Sequence, residues 1–149
     1  MFKMMLATLT VLTASVVTGV AEPAGSDATS ISQLLHGMFD KPNETLSVEP
    51  VMVAGDHAIA DWTQGEMGGR ALLRRQHQSW TLILCAGDGI KSSEALMKAG
   101  VPAANALKLE SQMATEEAKL APEKAALFSR FEGLVMMNGK DAPVKHSHH

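Results

Sequence analysis

The spacing of hydrophobic residues near the start of the chain is helical. Ile31, Leu34, Leu35 and Met38 recur at intervals of three and four residues, which places them on one face of a helix that Pro42 ends. Such a face is stable only when another layer covers it. The pattern therefore predicts a helix that packs against a sheet or a second helix.

From residue 46 the hydrophobic period becomes two, and this alternation predicts strands. Pro50 interrupts the first strand, which is typical of an edge strand or a bulge. Segments 70–75 and 80–85 continue the alternation after turn-like connections at 64–69 and 76–79. The middle of the chain is thus predicted to be an antiparallel meander. Its first full strand divides between two faces, one with Ala58, Ala60 and Trp62 and the other with His57, Ile59 and Asp61.

The second half of the chain returns to a helical pattern. Ser92 suits the N-cap of a short helix, and a longer helix carries Leu109 and Met113 on one stripe. Pro122 suits the first turn of a further helix. The apolar run at residues 134–137 predicts a short last strand.

These elements predict a single α+β domain over residues 31–137, with an N-terminal helix, an antiparallel β-meander and C-terminal helices packed on the sheet. The order of helix and then meander resembles cystatin-like and nuclear-transport-factor-like folds, at the level of fold only. Residues 22–30 are rich in Pro, Gly and Ser and are predicted to be a linker, and residues 138–149 a flexible tail.

Residues 1–21 are predicted to be a cleavable signal peptide. Lys3 precedes an apolar run, and Gly19 and Ala21 supply the small residues of a cleavage site. A membrane anchor is the alternative, but about 17 apolar residues interrupted by hydroxyl side chains lie at the short end of what spans a bilayer. We therefore expect a periplasmic protein that does not span the membrane once the signal is removed.

Composition narrows the classes of function. The chain is 46% hydrophobic and 19% charged, typical of a globular domain. Its formal charge is −3 and its basic residues form no block, which argues against a nucleic-acid partner. The single Cys85 allows neither an internal disulfide nor a CxxC pair, and we expect it to be a buried hydrophobe. A Cys85 nucleophile would need His57 or His77 as its base, and both histidines are expected on the surface.

The most specific chemical signal is the end of the chain, where His146, His148 and His149 lie within four residues. Closely spaced imidazoles bind Cu(II), Ni(II) or Zn(II). The alternative interpretation is a solvated tail or a purification tag without a role in function.

Methionine is the second signal, because thioether sulfur prefers Cu(I). Of the 10 methionines, three lie in the predicted signal peptide. Met38, Met52 and Met113 fit core positions. Met67 and the Met136-Met137 pair remain as candidate soft ligands.

Two further groups of polar residues have ordinary interpretations. Arg70, Arg74 and Arg75 occur at both parities of one strand, so one of them could pair with an anion on the sheet, although a solvated face is the expectation. Asp88 lies between two glycines and is expected to cap the following helix, with cation binding as the alternative.

Three segments of the predicted sheet resemble a known family: VAGDHAIADW at residues 53–62, GEMGGRALLRR at 65–75 and WTLILCAGDG at 80–89. Together with the GVP break at 100–102, FSRFEG at 128–133 and a histidine-rich end, they are similar to the bacterial copper uptake system-associated proteins. The resemblance covers roughly residues 31–137. It implies a small exported protein associated with periplasmic copper acquisition, and it carries over no catalytic residue.

The expected function is that of a periplasmic, non-enzymatic accessory protein of copper uptake. Its cargo would be a copper ion, captured weakly by His146, His148 and His149 with help from Met136 and Met137. The partner would be a periplasmic copper carrier or a membrane copper transporter. The alternative is a periplasmic module that binds a small molecule or a peptide, such as a small anion on the sheet, without a direct metal site.

Overall fold

A five-stranded antiparallel sheet with strand order β1-β2-β3-β4-β5 forms the centre of the structure. The structure, a computed structural model, describes residues 24–137. Because each strand pairs with its neighbour in sequence, the predicted meander is confirmed, and the last strand extends it. The strands are β1 Ser47–Ala54, β2 His57–Gln64, β3 Met67–Gln76, β4 Ser79–Ala86 and β5 Leu134–Met136.

Helices cover both faces of the sheet, which confirms the predicted α+β class. One helix precedes the sheet, and three follow β4 together with a short 3₁₀ helix, Asp88–Ile90. The helices are α1 Ala24–Phe39, α2 Ser93–Lys98, α3 Ala103–Glu117 and α4 Pro122–Leu127.

The alternation along β2 separates two hydrophobic cores. Ala58 and Ala60 lie in the core that contains Ile31 and Leu35 of α1. Ile59 lies in the opposite core, which α2 and α3 complete. The division of β2 into two faces is therefore confirmed, and the polar residues that share the parity of Ile59 are directed towards the α3 side.

The helix α1 begins at Ala24, so the prediction of a linker is wrong for residues 24–30, which form its first turns. The reason is tertiary, because Asp27 in the first turn accepts hydrogen bonds from Arg75 and Trp80 of the sheet. The helical spacing predicts that Met38 faces the core, but 46% of its side chain is exposed, so this prediction is wrong. The predicted signal peptide and the tail at residues 138–149 lie outside the described residues.

Several local predictions are confirmed. The pairing of β1 with β2 shifts between Val48 and Val51, so the strand with Pro50 is a bulged edge strand. The Ser92 hydroxyl accepts a hydrogen bond from the backbone N–H of Ala95 at 3.2 Å and caps α2. Pro122 begins α4. The helices α2 and α4 thus begin where the sequence supplies a capping hydroxyl or a proline.

We predict that Gly68→Ala destabilises the fold. A methyl group on Gly68 would lie 2.6 Å from the carbonyl oxygen of Leu127 at the end of α4, so the helix would have to move away from β3. Overlap of this kind typically costs about 1–3 kcal/mol. Urea denaturation of the variant measures the loss.

The matched control is Gly37→Ala in α1, where a methyl group meets no atom within 4 Å. Alanine is the better helix former, so this variant should be more stable than the parent protein by about 0.5–1 kcal/mol. Equal effects of the two substitutions would contradict the close approach of α4 to β3.

Candidate functional site

Two of the five predicted copper ligands lie on the described part of the chain. Met136 ends β5 opposite Leu84, and 57% of it is exposed. Met137 follows, donates its backbone N–H to the carbonyl oxygen of Ile83 at 2.7 Å, and packs against the α1-side core. Successive residues of a strand point to opposite faces, so Met136 is the exposed thioether of the pair. His146, His148 and His149 lie outside the described residues.

Met67 is exposed, at 49%, but it lies far from Met136. Met136 pairs with Leu84 of β4, which in turn pairs with Leu72 of β3. Met67 is five positions before Leu72, which is about 16 Å along the strand at about 3.3 Å per residue. The register of the sheet therefore separates these two candidate ligands. Within residues 24–137, no group of three or more His, Cys, Asp or Glu side chains is placed to hold a metal ion.

Cys85 is buried, as predicted, and burial raises the pKa of its thiol to about 12. His57 is also buried, so the expectation of a surface position is wrong for this residue. The two side chains lie on opposite faces of the sheet, because Cys85 belongs to the α1-side core and His57 shares the parity of Ile59. His77 is exposed in the β3–β4 turn, eight positions before Cys85, which lies near the other end of β4. Neither histidine is placed to act as a base for this thiol.

Within residues 24–137, a group of polar side chains in mutual contact surrounds Arg70, which is only 1% exposed. The Nε and Nη2 groups of Arg70 donate to the two carboxylate oxygens of Glu117, both at 2.8 Å. This bidentate geometry is the strongest form of arginine–carboxylate pairing. The expected solvated face is thus wrong for Arg70, which links β3 to the end of α3.

Arg70 also contacts the chain that follows α4. Its Nη1 group lies 3.3 Å from a carboxylate oxygen of Asp88 and 3.4 Å from the carbonyl oxygen of Phe128. The Ser129 hydroxyl donates to Asp88 at 2.6 Å. Asp88 therefore fixes the segment after α4, and the expectation that it caps the following helix is wrong. Ser92 performs that role.

Asp61 lies beside Arg70 on the neighbouring strand and is fully buried. Its nearest distance to the Arg70 Nε is 3.9 Å, too long for a hydrogen bond. Burial and the adjacent Glu117 carboxylate raise the pKa of Asp61 to about 9. Although burial opposes it, hydrogen bonding to Arg70 lowers the pKa of Glu117. At pH 7 Arg70 therefore pairs with two ionised carboxylates, Glu117 and Asp88, while Asp61 beside it is a neutral carboxylic acid.

We call this group the Arg70 cluster, and it joins the sheet to the C-terminal helices. Its members are Asp61, Arg70, Glu117 and Asp88.

Comparison with protein-family models, with curated proteins and with solved structures finds no match for this chain. Among residues 24–137, no helix is both long enough and apolar enough to cross a membrane.

We predict that the buried Asp61 makes the protein less stable as the pH rises. The ordinary pKa of this carboxyl is 3.8 and the folded value is about 9. Between these values the folded protein holds a proton that the unfolded chain releases, so the free energy of unfolding falls with increasing pH. The Asp61→Asn side chain has nearly the shape of the neutral acid but cannot ionise. Relative to the parent, the variant should gain stability between pH 5 and pH 9, as measured by urea denaturation, whereas a constant difference would contradict the neutral acid.

A second pH effect of opposite sign is predicted for His57. Burial and the neighbouring Arg74 lower its pKa from the ordinary value of 6.5. The unfolded chain therefore takes up a proton more readily than the folded protein, and stability is lost as the pH falls below 6.5. His57→Gln should reduce the loss between pH 6.5 and pH 5. The exposed His77→Gln is the matched control and should behave like the parent protein.

Proposed function

We propose that this protein is an exported, non-enzymatic accessory protein of copper uptake that captures copper at the end of the chain and hands it to a partner. The observation that carries the proposal is the position of Met136. Its thioether is exposed on the last strand, and the chain continues from there to His146, His148 and His149.

The chemistry of these side chains suits copper in both oxidation states. Thioether sulfur is a soft ligand for Cu(I), and imidazole binds Cu(II). Neither ligand type depends on a reducing compartment, unlike a thiolate. Copper is therefore the cargo that a methionine followed by terminal histidines in an exported protein would select.

The folded domain gives Met136 a fixed position. Three residue pairs hold β5 on β4, and the backbone N–H of Met137 adds a hydrogen bond to Ile83. Within the described residues, β5 pairs with β4 alone and forms the outer strand of the sheet. A carrier or transporter could thus approach the Met136 sulfur from the side that no described strand occupies.

The chain length between the two ligand groups permits one shared site. His146 lies ten positions after Met136, which corresponds to a reach of up to about 35 Å when the chain is extended. The entropic cost of closing a loop of this length rises only slowly with the number of residues. Met137 is the weaker candidate because it packs against the α1-side core.

The proposal places the protein in the periplasm. The predicted signal peptide at residues 1–21 directs the chain to the periplasm, and the mature protein works there with a periplasmic copper carrier or a membrane copper transporter. The resemblance of residues 31–137 to the copper uptake system-associated proteins supports the same assignment.

The test is titration of the mature protein with Cu(I) and Cu(II) in competition with a chromophoric chelator. Deleting residues 145–149 should abolish Cu(II) binding. Met136→Leu should weaken Cu(I) binding by about tenfold, equivalent to about 1.4 kcal/mol, because the exposed soft ligand is lost.

The matched control is Met97→Leu, which removes another exposed methionine, 42% accessible, from α2. It should leave both affinities unchanged. Unaltered Cu(II) affinity in the truncated protein would refute the role of the histidines, and equal effects of Met136→Leu and Met97→Leu would refute the role of Met136.

A further inference from the structure

The outer edge of β5 is open among the described residues. This strand, Leu134–Met136, pairs with β4 alone, and the backbone N–H of Met137 donates to the carbonyl oxygen of Ile83. Backbone groups of an antiparallel strand alternate in direction from one residue to the next. The N–H and C=O groups of Leu134 and Met136 therefore point away from β4. A row of unpaired groups of this kind is a template for a further strand.

The same two residues carry exposed apolar side chains. Leu134 is 50% exposed and Met136 is 57% exposed. They lie on one face because they are two positions apart, and their partners on β4, Ala86 and Leu84, belong to the core that α2 and α3 complete. The apolar layer beneath these helices thus continues to the edge of the sheet, where no residue of 24–137 covers it. A strand added to β5 would cover it.

The opposite edge of the sheet is protected against such pairing. The outer strand β1 contains Pro50, which has no backbone N–H, and its register shifts between Val48 and Val51. The charged Glu49 is exposed at the same place. Prolines, bulges and charges are the features by which natural proteins prevent an edge strand from pairing. The strand β5 has none of them.

The strand β5 is also complementary to itself. An antiparallel pair with its two-fold axis at Val135 places Leu134 of each copy opposite Met136 of the other. These are the residues whose backbone groups point outward, so their N–H and C=O groups are in register to exchange hydrogen bonds. Each exposed side chain would meet an apolar neighbour on the same face. Because β1 is protected, the assembly closes at two copies.

A return of the chain's own last residues fits this edge less well than a second copy does. Asn138-Gly139 favours a two-residue hairpin, but such a hairpin needs the backbone groups of Met137 to face the returning segment, and its N–H points to β4. In that register Pro143 would lie opposite Leu134, where a backbone N–H is needed. A second copy of β5 supplies an N–H at each pairing position.

The small size of the contact points to a ligand that strengthens it. Two three-residue strands bury less than the about 1,200 Å² at the low end of stable interfaces, so a ligand that binds only the pair would stabilise it by mass action. Pairing about Val135 makes the two Met136 residues diagonal neighbours on one face, about 7–8 Å apart and within reach of each other's long side chains. Two thioethers in this position suit a Cu(I) ion.

We propose that β5 binds β5 of a second copy of this chain, and that one Cu(I) ion held between the two Met136 thioethers stabilises the pair. The pairing rests on the strand edge itself, whereas the shared ion rests on the proposed function and deepens it. The second copy occupies the side from which a carrier would approach Met136. Hand-over of copper would therefore begin with separation of the two copies.

The test is sedimentation equilibrium of the mature protein at concentrations up to about 1 mM, where weak pairs are populated. It is performed without copper and, under anaerobic conditions, with one Cu(I) ion for every two chains. The average mass should rise towards that of a dimer with concentration, and Cu(I) should tighten the dimer at least about tenfold. A protein that stays monomeric under both conditions would overturn the proposal.

Leu134→Lys and Leu107→Lys are matched variants, because each replaces an exposed leucine by the same charged residue. Leu107 lies on α3 and is 60% exposed. A lysine at position 134 would lie opposite Met136 of the second copy, so dimer affinity should fall at least about tenfold. Leu107→Lys should dimerise like the parent protein. Equal behaviour of the two variants would overturn β5 as the pairing surface.

Met136→Leu separates the strand pairing from the shared ion. Leucine keeps the edge apolar but has no sulfur, so pairing without copper should be unchanged and the tightening by Cu(I) should be lost. Cu(I) that tightens this variant as much as the parent protein would overturn the shared site.

The amount of Cu(I) bound distinguishes this inference from the proposed function. One Cu(I) ion per chain without a change in mass would overturn the inference and leave the proposed function standing. A dimer that takes up no Cu(I) would refute the proposed function and the shared site, and would support the pairing of β5.

NMR of a mixture of isotope-labelled and unlabelled protein identifies what lies on the strand edge. Contacts from Leu134 of a labelled copy to Met136 of an unlabelled copy are expected. Contacts from Leu134 to residues 140–145 of its own chain would assign the edge to the end of the chain and overturn the second copy.

Discussion

The position of the C-terminal half of the domain depends on one buried ion pair, that of Arg70 with Glu117. A guanidinium that is 1% exposed would be strongly destabilising alone, because removing one partner of a buried pair costs about 3–5 kcal/mol. The pair therefore requires α3 to end over β3. Asp88 and the Phe128 carbonyl extend the same requirement to the chain after α4.

Close backbone packing reinforces this arrangement. A side chain at Gly68 would overlap the carbonyl of Leu127, and one at Gly87 would overlap the carbonyl of Phe131. Two glycines thus allow the segment around α4 to lie directly on the sheet. The chain leaves this segment at Gly133 and returns to β4 as β5, so the position of Met136 follows from the Arg70 contacts and from these two glycines.

The α3-side face of β2 shows how polar groups are accommodated beneath the helices. His57 and Asp61 both lie on it, and burial shifts the pKa of each towards its uncharged form. Arg70 keeps its charge because Glu117 supplies a hydrogen-bonded counter-ion. An ionised group is tolerated in this layer only where a partner of opposite charge contacts it, and the opposite shifts of His57 and Asp61 favour mildly acidic to neutral conditions.

Periodicity was sufficient to predict the meander, the two faces of β2, the hairpin turn and the cap at Ser92, because each depends on residues close in sequence. It could not predict the first turns of α1, which are supported by Asp27 and Arg75, 48 positions apart. Spacing also assigns a side chain to a face without showing what covers that face. This is why Arg70, His57 and Asp88 were expected at the surface or at a cap. The burial of Asp61 was not predicted, and its shared parity with Ile59 is the signal in the sequence that points to it.

The candidate copper ligands show the same difference. The terminal histidines and Met136 were visible in the sequence, but the contrast between an exposed Met136 and a packed Met137 depends on the register of β5. That register is set by contacts between segments about 50 residues apart, which spacing along the chain does not show.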